Sequence, residues 1–569
     1  MVPSESAAKF NEFSNWTVFR ALEETANRVP SKIAVVDGNK RATYSEMLEQ
    51  TRRMASGLSA AGVRKGDTVA MYIKNCIEMI VGFYAFQSLG AVVAWINPLY
   101  RERESQFILY NSGARMAFIC ESWQGFHYFD ALLAMKSELP FLEKIILVPS
   151  EPGKKFADGA ALSVEELNRG ADAIQAPVRD VAPDDLSMLI YTSGTTGKPK
   201  GAMISQSQVI RAGWAYSLGV DATEDDIFIA FLPMSHSYGC GAHLIQSILL
   251  GSTLVLLDRF SPEAAFQLIE KERVTLQLAA PAHYIMELEH PSRTRYNLSS
   301  LRAGLIAGQI APKGLIPRVE AAFGIYLSSF LGSSEVGPGL SIILPYKTPL
   351  DVRENYIGFP LPGTQAKIAD PVTGAEKGIG EPGELLLSGW HVTGGYWRNP
   401  EETANQIRNG WLHTGDLAAR DADGCFRIMG RIKEFINRGG FKVIPSEVER
   451  LLLELPGVEE ACVVGTPNHV LGESICACLK LRTGASSLSL ADLRAAISGK
   501  VADYKLPDEL LLLADFPRMP GGLKVNRFGT GGLMEVAKAA PDKEVLRSKG
   551  PRNSSVKNDP QATPEKVIR

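Results

Sequence analysis

The sequence predicts two blocks of unequal size: a large N-terminal α/β body of layered sheets and a small α+β domain after it. Three observations point there. From about residue 30 to residue 390, short strand-like runs alternate with amphipathic helical stretches, the pattern of sheets covered by helices. After Gly430 the pattern shortens to one helix and two strands. The 569 residues, 45% hydrophobic and 22% charged, suit several buried cores and exclude both a single small module and a wholly disordered chain.

Within the body, Lys32-Ile-Ala-Val-Val36, Thr68-Val-Ala-Met-Tyr-Ile73 and Thr253-Leu-Val-Leu-Leu257 have the length and composition of buried strands. Met79 to Trp95 is apolar except for Gln87 and Ser88, close to the length of a spanning helix. Gly90 divides it, so the prediction is a helix, a glycine cap and a buried strand closing at Asn97-Pro98, with no membrane span. In the small domain a helix is predicted over 445–453 and strands over 461–465 and 475–479. From Pro541 onward Lys, Pro, Ser and Asn outnumber apolar residues, and 541–569 is predicted as a disordered tail because burial there cannot offset ordering entropy.

Sixty basic against 63 acidic side chains give a formal charge of −3. No net positive field draws the chain to nucleic acid or anionic lipid, so any polyanion it binds is small and locally recognised. The seven cysteines are odd in number and scattered, unlike a secreted disulfide framework. Alternation in a strand puts Cys476 and Cys478 on one face, a packing arrangement rather than a metal site. Residues 1–10 lack a basic region followed by an apolar stretch, and a cytoplasmic location is expected.

The strongest local signal is Tyr191-Thr-Ser-Gly-Thr-Thr-Gly-Lys-Pro-Lys-Gly201, after the apolar run 186–190. Glycines and small hydroxylated residues let backbone N–H groups converge, and two lysines add charge: a phosphate cradle made of Thr192, Ser193, Gly194, Thr195, Thr196, Gly197, Lys198 and Lys200. Its spacing is not that of the G-x-x-x-x-G-K-[ST] loop. Further along stand Phe231-Leu-Pro-Met-Ser-His-Ser-Tyr-Gly239, Leu331-Gly-Ser-Ser-Glu-Val-Gly337, Gly394-Gly-Tyr-Trp397, Gly410-Trp-Leu-His-Thr-Gly-Asp416 and Gly430-Arg-Ile-Lys-Glu-Phe-Ile-Asn-Arg-Gly-Gly440.

Taken together and in this order, these segments resemble the motifs of the adenylate-forming (AMP-binding) superfamily, over roughly residues 15 to 530. The resemblance implies an N-terminal adenylation domain over 1–430 that includes a small β-barrel-like part, hinged to a mobile C-terminal domain over 431–540. It implies ATP, Mg²⁺ and coenzyme A as cofactors. Asp416 would take both ribose hydroxyls, as a carboxylate can. Arg431 would contact the nucleotide, and Lys433 would be the hinge. Glu335 would hold Mg²⁺ against the triphosphate, and Ser334, in the family's usual threonine position, would bond the α-phosphate. Gly308, Gln309 and Gly332 would line the adenine side. His236, with Tyr238, Gly239 and His283, would line the acyl pocket, and Gly439-Gly440 would admit the thin pantetheine arm of CoA.

Several positions depart from the family pattern. Leu331 replaces the aromatic that stacks on adenine, Gly308-Gln-Ile-Ala-Pro312 replaces a small-residue turn, and Asn437 stands where many members carry lysine. The catalytic lysine is assigned to Lys524, although Gly522-Leu-Lys524 sets it one residue further from Pro517 than usual. The activity implied is an ATP-dependent acid:CoA ligase for a medium-chain, cyclic or aromatic carboxylic acid, with Lys524, His236 and Glu335 as its catalytic residues. A carrier-protein-loading adenylating enzyme, an oxidative luciferase-like enzyme and a degenerate non-catalytic adenylate binder share the same motifs and stay open at this point. A monomer or homodimer is expected.

Overall fold

In the computed structural model, described over residues 4–151, 154, 161–169, 171, 173, 180–193, 199–438, 441–468, 471–498, 500–501, 503–519, 525–528 and 531–545, two α/β sheets build most of the first unit. One sheet has seven strands in the order Pro199–Ser205, Leu186–Ser193, Val92–Trp95, Thr68–Tyr72, Met116–Cys120, Lys144–Val148, Leu162–Ser163. All its pairs are parallel except the first, a hairpin. The other has nine strands. Its centre runs Tyr326–Leu331, Ala303–Ile306, Leu276–Ala279, Ile227–Ala230, Thr253–Leu256, Ile33–Asp37, all parallel, with antiparallel strands at both ends.

The segment with the hydropathy of a spanning helix sits inside this body. A helix runs Ile77–Ser88, Gly90 takes φ +69°, and Val92–Trp95 joins the seven-stranded sheet beside Thr68–Tyr72. Its helix is apolar on every face because it is covered on every face, with Phe83, Tyr84 and Phe86 fully buried. Among the described residues no helix is long and apolar enough to cross a membrane.

The small barrel-like part is a five-stranded antiparallel sheet made from Thr364–Ala369, Gly383–Gly389, Ile407–Arg408, Trp411–Arg420 and Phe426–Arg431. It surrounds its own core of Ile368, Leu385, Leu387, Leu412, Ala418 and Phe426, to which Val336 and Ile342 of the body contribute. Register shifts at 384–386 and 417–418 bend its two longest strands.

The chain divides into two compact units, Met1–Glu434 with Arg518–Val525, and Phe435–Pro517 with Asn526–Arg569. Taken by itself, the second has a six-stranded sheet around Gly472–Leu481, which pairs with Val458–Asn468 and Glu509–Leu512. Helices Pro445–Leu453 and Leu490–Ile497 supply its apolar core. Cys476 and Cys478 share a face with sulfurs 3.9 Å apart, and all seven cysteines are buried and free. Within the segment expected as a tail from residue 541, Glu544–Val545 pairs antiparallel with Glu509 and Leu510, and Lys543 bonds Glu509 at 2.9 Å. A nearly buried carboxylate at 509 calls for a cation, which the low-apolar composition of 541–545 supplies. Residues 546–569 lie outside the described residues.

One buried ion pair holds the strand that leads into the candidate site. Arg353 donates to Glu320 Oε1 at 2.5 Å, to the Leu327 carbonyl at 2.7 Å and to the Thr348 carbonyl at 2.7 Å. Glu320 in turn accepts from Leu327 N at 2.8 Å. Replacing Arg353 by Met strands the Glu320 carboxylate and should cost about 3–5 kcal/mol of stability. Thermal and urea melts check it, and an unchanged midpoint would show that the pair carries no such weight.

Candidate functional site

The described parts of the phosphate-cradle sequence lie on two paired strands. Leu186–Ser193 and Pro199–Ser205 pair antiparallel with Thr192 opposite Lys200. Tyr191 braces the stem, donating to Asn111 Oδ1 at 2.8 Å. The expected contacts at Gly194, Thr195, Thr196, Gly197 and Lys198 lie outside the described residues, as does the side chain of Ser193. Lys200 is nearly buried, and its ammonium is ion-paired with Glu402 and 5.5 Å from the centre of the Tyr396 ring. In this structure the Lys200 ammonium is paired with the Glu402 carboxylate beside the turn end of the hairpin stem.

Strand Tyr326–Leu331 delivers a second loop, 332–339. A Cβ on Gly332 would fall 1.6 Å from the Gly339 carbonyl oxygen, so only glycine lets the loop fold on itself. Glu335 follows. Its carbonyl accepts from Thr393 N at 2.8 Å, and Gly337 N donates to the His391 carbonyl at 2.9 Å. Val336 bridges Val392, so the segment after strand Gly383–Gly389 is pinned along this loop. The Tyr396 hydroxyl donates to Glu335 Oε1 at 2.9 Å. Ser334 is buried, its hydroxyl 3.5 Å from that of Ser237. Leu331, expected over adenine, instead packs on the apolar core of the small sheet.

His236 caps the turn after strand Ile227–Ala230. Its Nδ1 accepts from Tyr238 N at 3.2 Å, so the neutral ring carries its proton on Nε2, and the side chain is exposed. Gly239 is required here, because a Cβ would lie 2.2 Å from the Pro233 carbonyl oxygen. Tyr238, expected as a pocket wall, is committed to the core. Its hydroxyl donates to the Leu305 carbonyl at 3.2 Å, and its ring packs on Phe330 and Tyr216. His283 begins helix Pro281–Glu289, with Nδ1 accepting from Ala280 N at 3.2 Å and its ring against Phe231 and Phe260 at 4.8 and 4.6 Å. Burial pushes its pKa down to about 4, so the ring is neutral at pH 7. Gly308 has φ +90° at an exposed strand end, followed by exposed Gln309.

Asp416 and Arg431 face each other across the small sheet. They are register partners in strands Trp411–Arg420 and Phe426–Arg431, and Arg431 Nε lies 2.7 Å from Asp416 Oδ1. Arg431 also donates to the Thr414 carbonyl at 3.1 Å, while Gly415 N donates to Glu384 at 3.1 Å, shaping the turn before Asp416. The backbone of Lys433 lies in a short 3-10 turn one residue before the first unit ends at Glu434. The side chain of Asn437 and all of Gly439, Gly440 and Lys524 lie outside the described residues.

The structure thus joins the hairpin stem, Ser334, Glu335 and the His236 turn, and reaches Asp416 and Arg431 through the small sheet. Sequence reasoning missed Tyr396, whose signal was the Gly394-Gly-Tyr-Trp397 motif, and Glu402, which lies beyond it. It also missed two histidines, His243 and His391, buried with neither ring nitrogen bonded to any described residue. Burial pushes the pKa of each down to about 3. A cleft of about 590 Å³, lined by Glu46, Glu49, Arg53 and Arg169 among others, includes none of the candidate residues.

Comparison with known proteins gives this geometry its context. Residues 22–397 match the model of the AMP-binding enzyme family, and residues 447–522 match that of the AMP-binding enzyme C-terminal domain. The chain is 32% identical over 511 residues to the medium-chain fatty-acid–CoA ligase of Escherichia coli (strain K12), covering 89% of this chain and 88% of that one. It is 30% identical over 535 residues to the long-chain-fatty-acid–CoA ligase of Bacillus subtilis (strain 168), covering 90% and 94%. Among solved structures, ATP-bound MatB from Rhodopseudomonas palustris superposes with a TM-score of 0.79 at 26% identity, over 89% of this chain and 97% of that one. With a family model spanning well over half its length and the hairpin, Glu335 loop and Asp416–Arg431 pair each formed by the family's motifs, this chain belongs to the AMP-binding enzyme family.

Proposed function

We propose that this protein is an ATP-dependent acid:CoA ligase, which converts a carboxylic acid to its acyl-adenylate with release of pyrophosphate and then to the CoA thioester with release of AMP. One observation carries the reading most directly. Tyr396 touches both the stem of the phosphate hairpin, at Lys200, and Glu335, so a phosphate-binding turn and an acidic side chain converge on one place. The chain's similarity to fatty-acid–CoA ligases and to ATP-bound MatB supports ATP and CoA as co-substrates.

A carboxylate is a poor electrophile, and a mixed anhydride with AMP supplies the leaving group it lacks. The acid's oxygen attacks the α-phosphorus, and the P–O bond to pyrophosphate breaks. Residues 192–200 receive the departing pyrophosphate, Ser334 bonds the α-phosphate, and Asp416 with Arg431 holds the ribose. Gly308, Gln309 and Gly332 line the adenine side. Lys524 bridges the carboxylate and the α-phosphate and stabilises charge in the transition state. In the second step the CoA sulfur attacks the acyl carbon and AMP leaves. Gly439 and Gly440 admit the thiol arm, and positioning does most of the work. Lys433 serves as the hinge, a role supported by its place beside the break at Glu434 and Phe435.

Glu335 fits Mg²⁺ in one specific way. Its half-buried carboxylate has one oxygen bonded to the Tyr396 hydroxyl, and Mg²⁺ is an ion that takes one or two carboxylates and completes its shell with phosphate and water. When bound, Mg²⁺ would neutralise charge on the triphosphate. His236, exposed with Nε2–H outward, and His283, neutral between two phenylalanines, support an acyl pocket of largely apolar character, as a medium-chain, cyclic or aromatic acid requires. Seven free, buried cysteines support a reducing compartment, the cytoplasm.

Pyrophosphate release with ATP and Mg²⁺, measured across fatty, cyclic and aromatic acids with and without CoA, tests the proposal. CoA-dependent turnover with one class is expected. A stoichiometric burst unaffected by CoA would replace CoA with a carrier protein, and no release with any acid would end the reading. Lys524→Ala should slow adenylation by about 10²–10³-fold and leave thioester formation from preformed acyl-adenylate within a few-fold of wild type; if adenylation survives, Lys524 is misassigned. Asp416→Ala should raise KM for ATP by about 10-fold or more, the loss of charge-assisted hydrogen bonds, and an unchanged KM would remove Asp416 from the ribose.

A further inference from the structure

We propose that Tyr396 is a positioning residue for Glu335, its hydroxyl holding one carboxylate oxygen so that the other is presented to the divalent cation. The proposal rests on the reading of Glu335 as the metal-binding carboxylate. Its basis is how completely the tyrosine is fixed and how little else fixes the glutamate. Tyr396 bridges Ala202 on the hairpin strand through its backbone, and its N–H donates to Thr403 Oγ1 at 2.9 Å. Its ring is 4% exposed and lies under the Lys200 ammonium, itself locked to Glu402. The hydroxyl therefore has a set position. Glu335 is half-buried, and its side chain has one partner among the described residues, that hydroxyl on Oε1. Its second oxygen, Oε2, makes no bond to a described residue.

A merely structural role for the hydroxyl has little left to do. The two segments are already joined by Thr393 N to the Glu335 carbonyl, by Gly337 N to the His391 carbonyl, and by the Val336–Val392 bridge. What backbone tethers cannot set is the carboxylate's side-chain rotamer. Partners that orient a metal ligand in this way typically contribute about 10–100-fold in metal affinity.

The test is Mn²⁺ binding to the full-length protein in the presence of α,β-methylene-ATP, followed by electron paramagnetic resonance for wild type, Tyr396→Phe, Glu335→Gln and the double variant. Phenylalanine keeps the ring under Lys200 and removes only the hydroxyl. The expected result is about 10-fold or greater weakening of Mn²⁺ binding in Tyr396→Phe, with the double variant no weaker than Glu335→Gln alone. Wild-type affinity in Tyr396→Phe beside weak binding in Glu335→Gln would overturn the role of Tyr396 and leave Glu335 standing. Wild-type affinity in Glu335→Gln would instead remove the metal reading of Glu335, and this proposal with it. Additive losses in the double variant, or a Tyr396→Phe protein that no longer melts cooperatively, would show the hydroxyl acting elsewhere and overturn it as well.

Discussion

Backbone packed directly on backbone is the constraint on which the site depends. Where Gly332 meets the Gly339 carbonyl and Gly239 meets that of Pro233, there is no room for even one carbon atom. Loops folded this tightly hold Ser334 and Glu335 close to Ser237 and the His236 turn, because neither chain can slide without a clash. Such contacts contribute little attraction per atom, and their effect is to remove alternatives. The result is a site whose polar groups are placed before any ligand arrives, which is what electrostatic stabilisation of a phosphoryl transition state requires.

The small antiparallel sheet acts as a spacer with two working edges. Its strand Trp411–Arg420 carries Asp416 opposite Arg431, and the segment leaving Gly383–Gly389 lies along the Glu335 loop. Both depend on one apolar core, to which Val336 and the partly buried Leu331 also belong. A displacement of that core would be felt at Asp416 and at the Glu335 loop together.

Lysines and carboxylates here are paired in ways their sequence neighbourhood conceals. Lys200 lies in a Gly/Thr/Lys-rich segment, yet its ammonium is nearly buried against Glu402, some 200 positions along the chain. A charge placed that way orders the turn end of the hairpin stem. Tyr238 shows the same logic for an aromatic residue, its hydroxyl spent on the Leu305 carbonyl and its ring on Phe330 and Tyr216.

What the sequence determined by itself was whatever is written in short runs: the two-block α/β organisation, the helix–glycine–strand reading of 79–95 and the order of the motifs. These follow from hydropathy period, turn chemistry and local spacing, which involve residues within about one element of each other. Only the tertiary structure decided which partners the polar groups take. The Tyr396–Glu335 contact spans 61 positions and the Lys200–Glu402 pair 202, and Glu544–Val545 joins a sheet despite a composition that reads as tail. No local pattern encodes such pairings, because a side chain's partner is chosen by where the packed backbone places it, and that is settled only when the whole chain has folded.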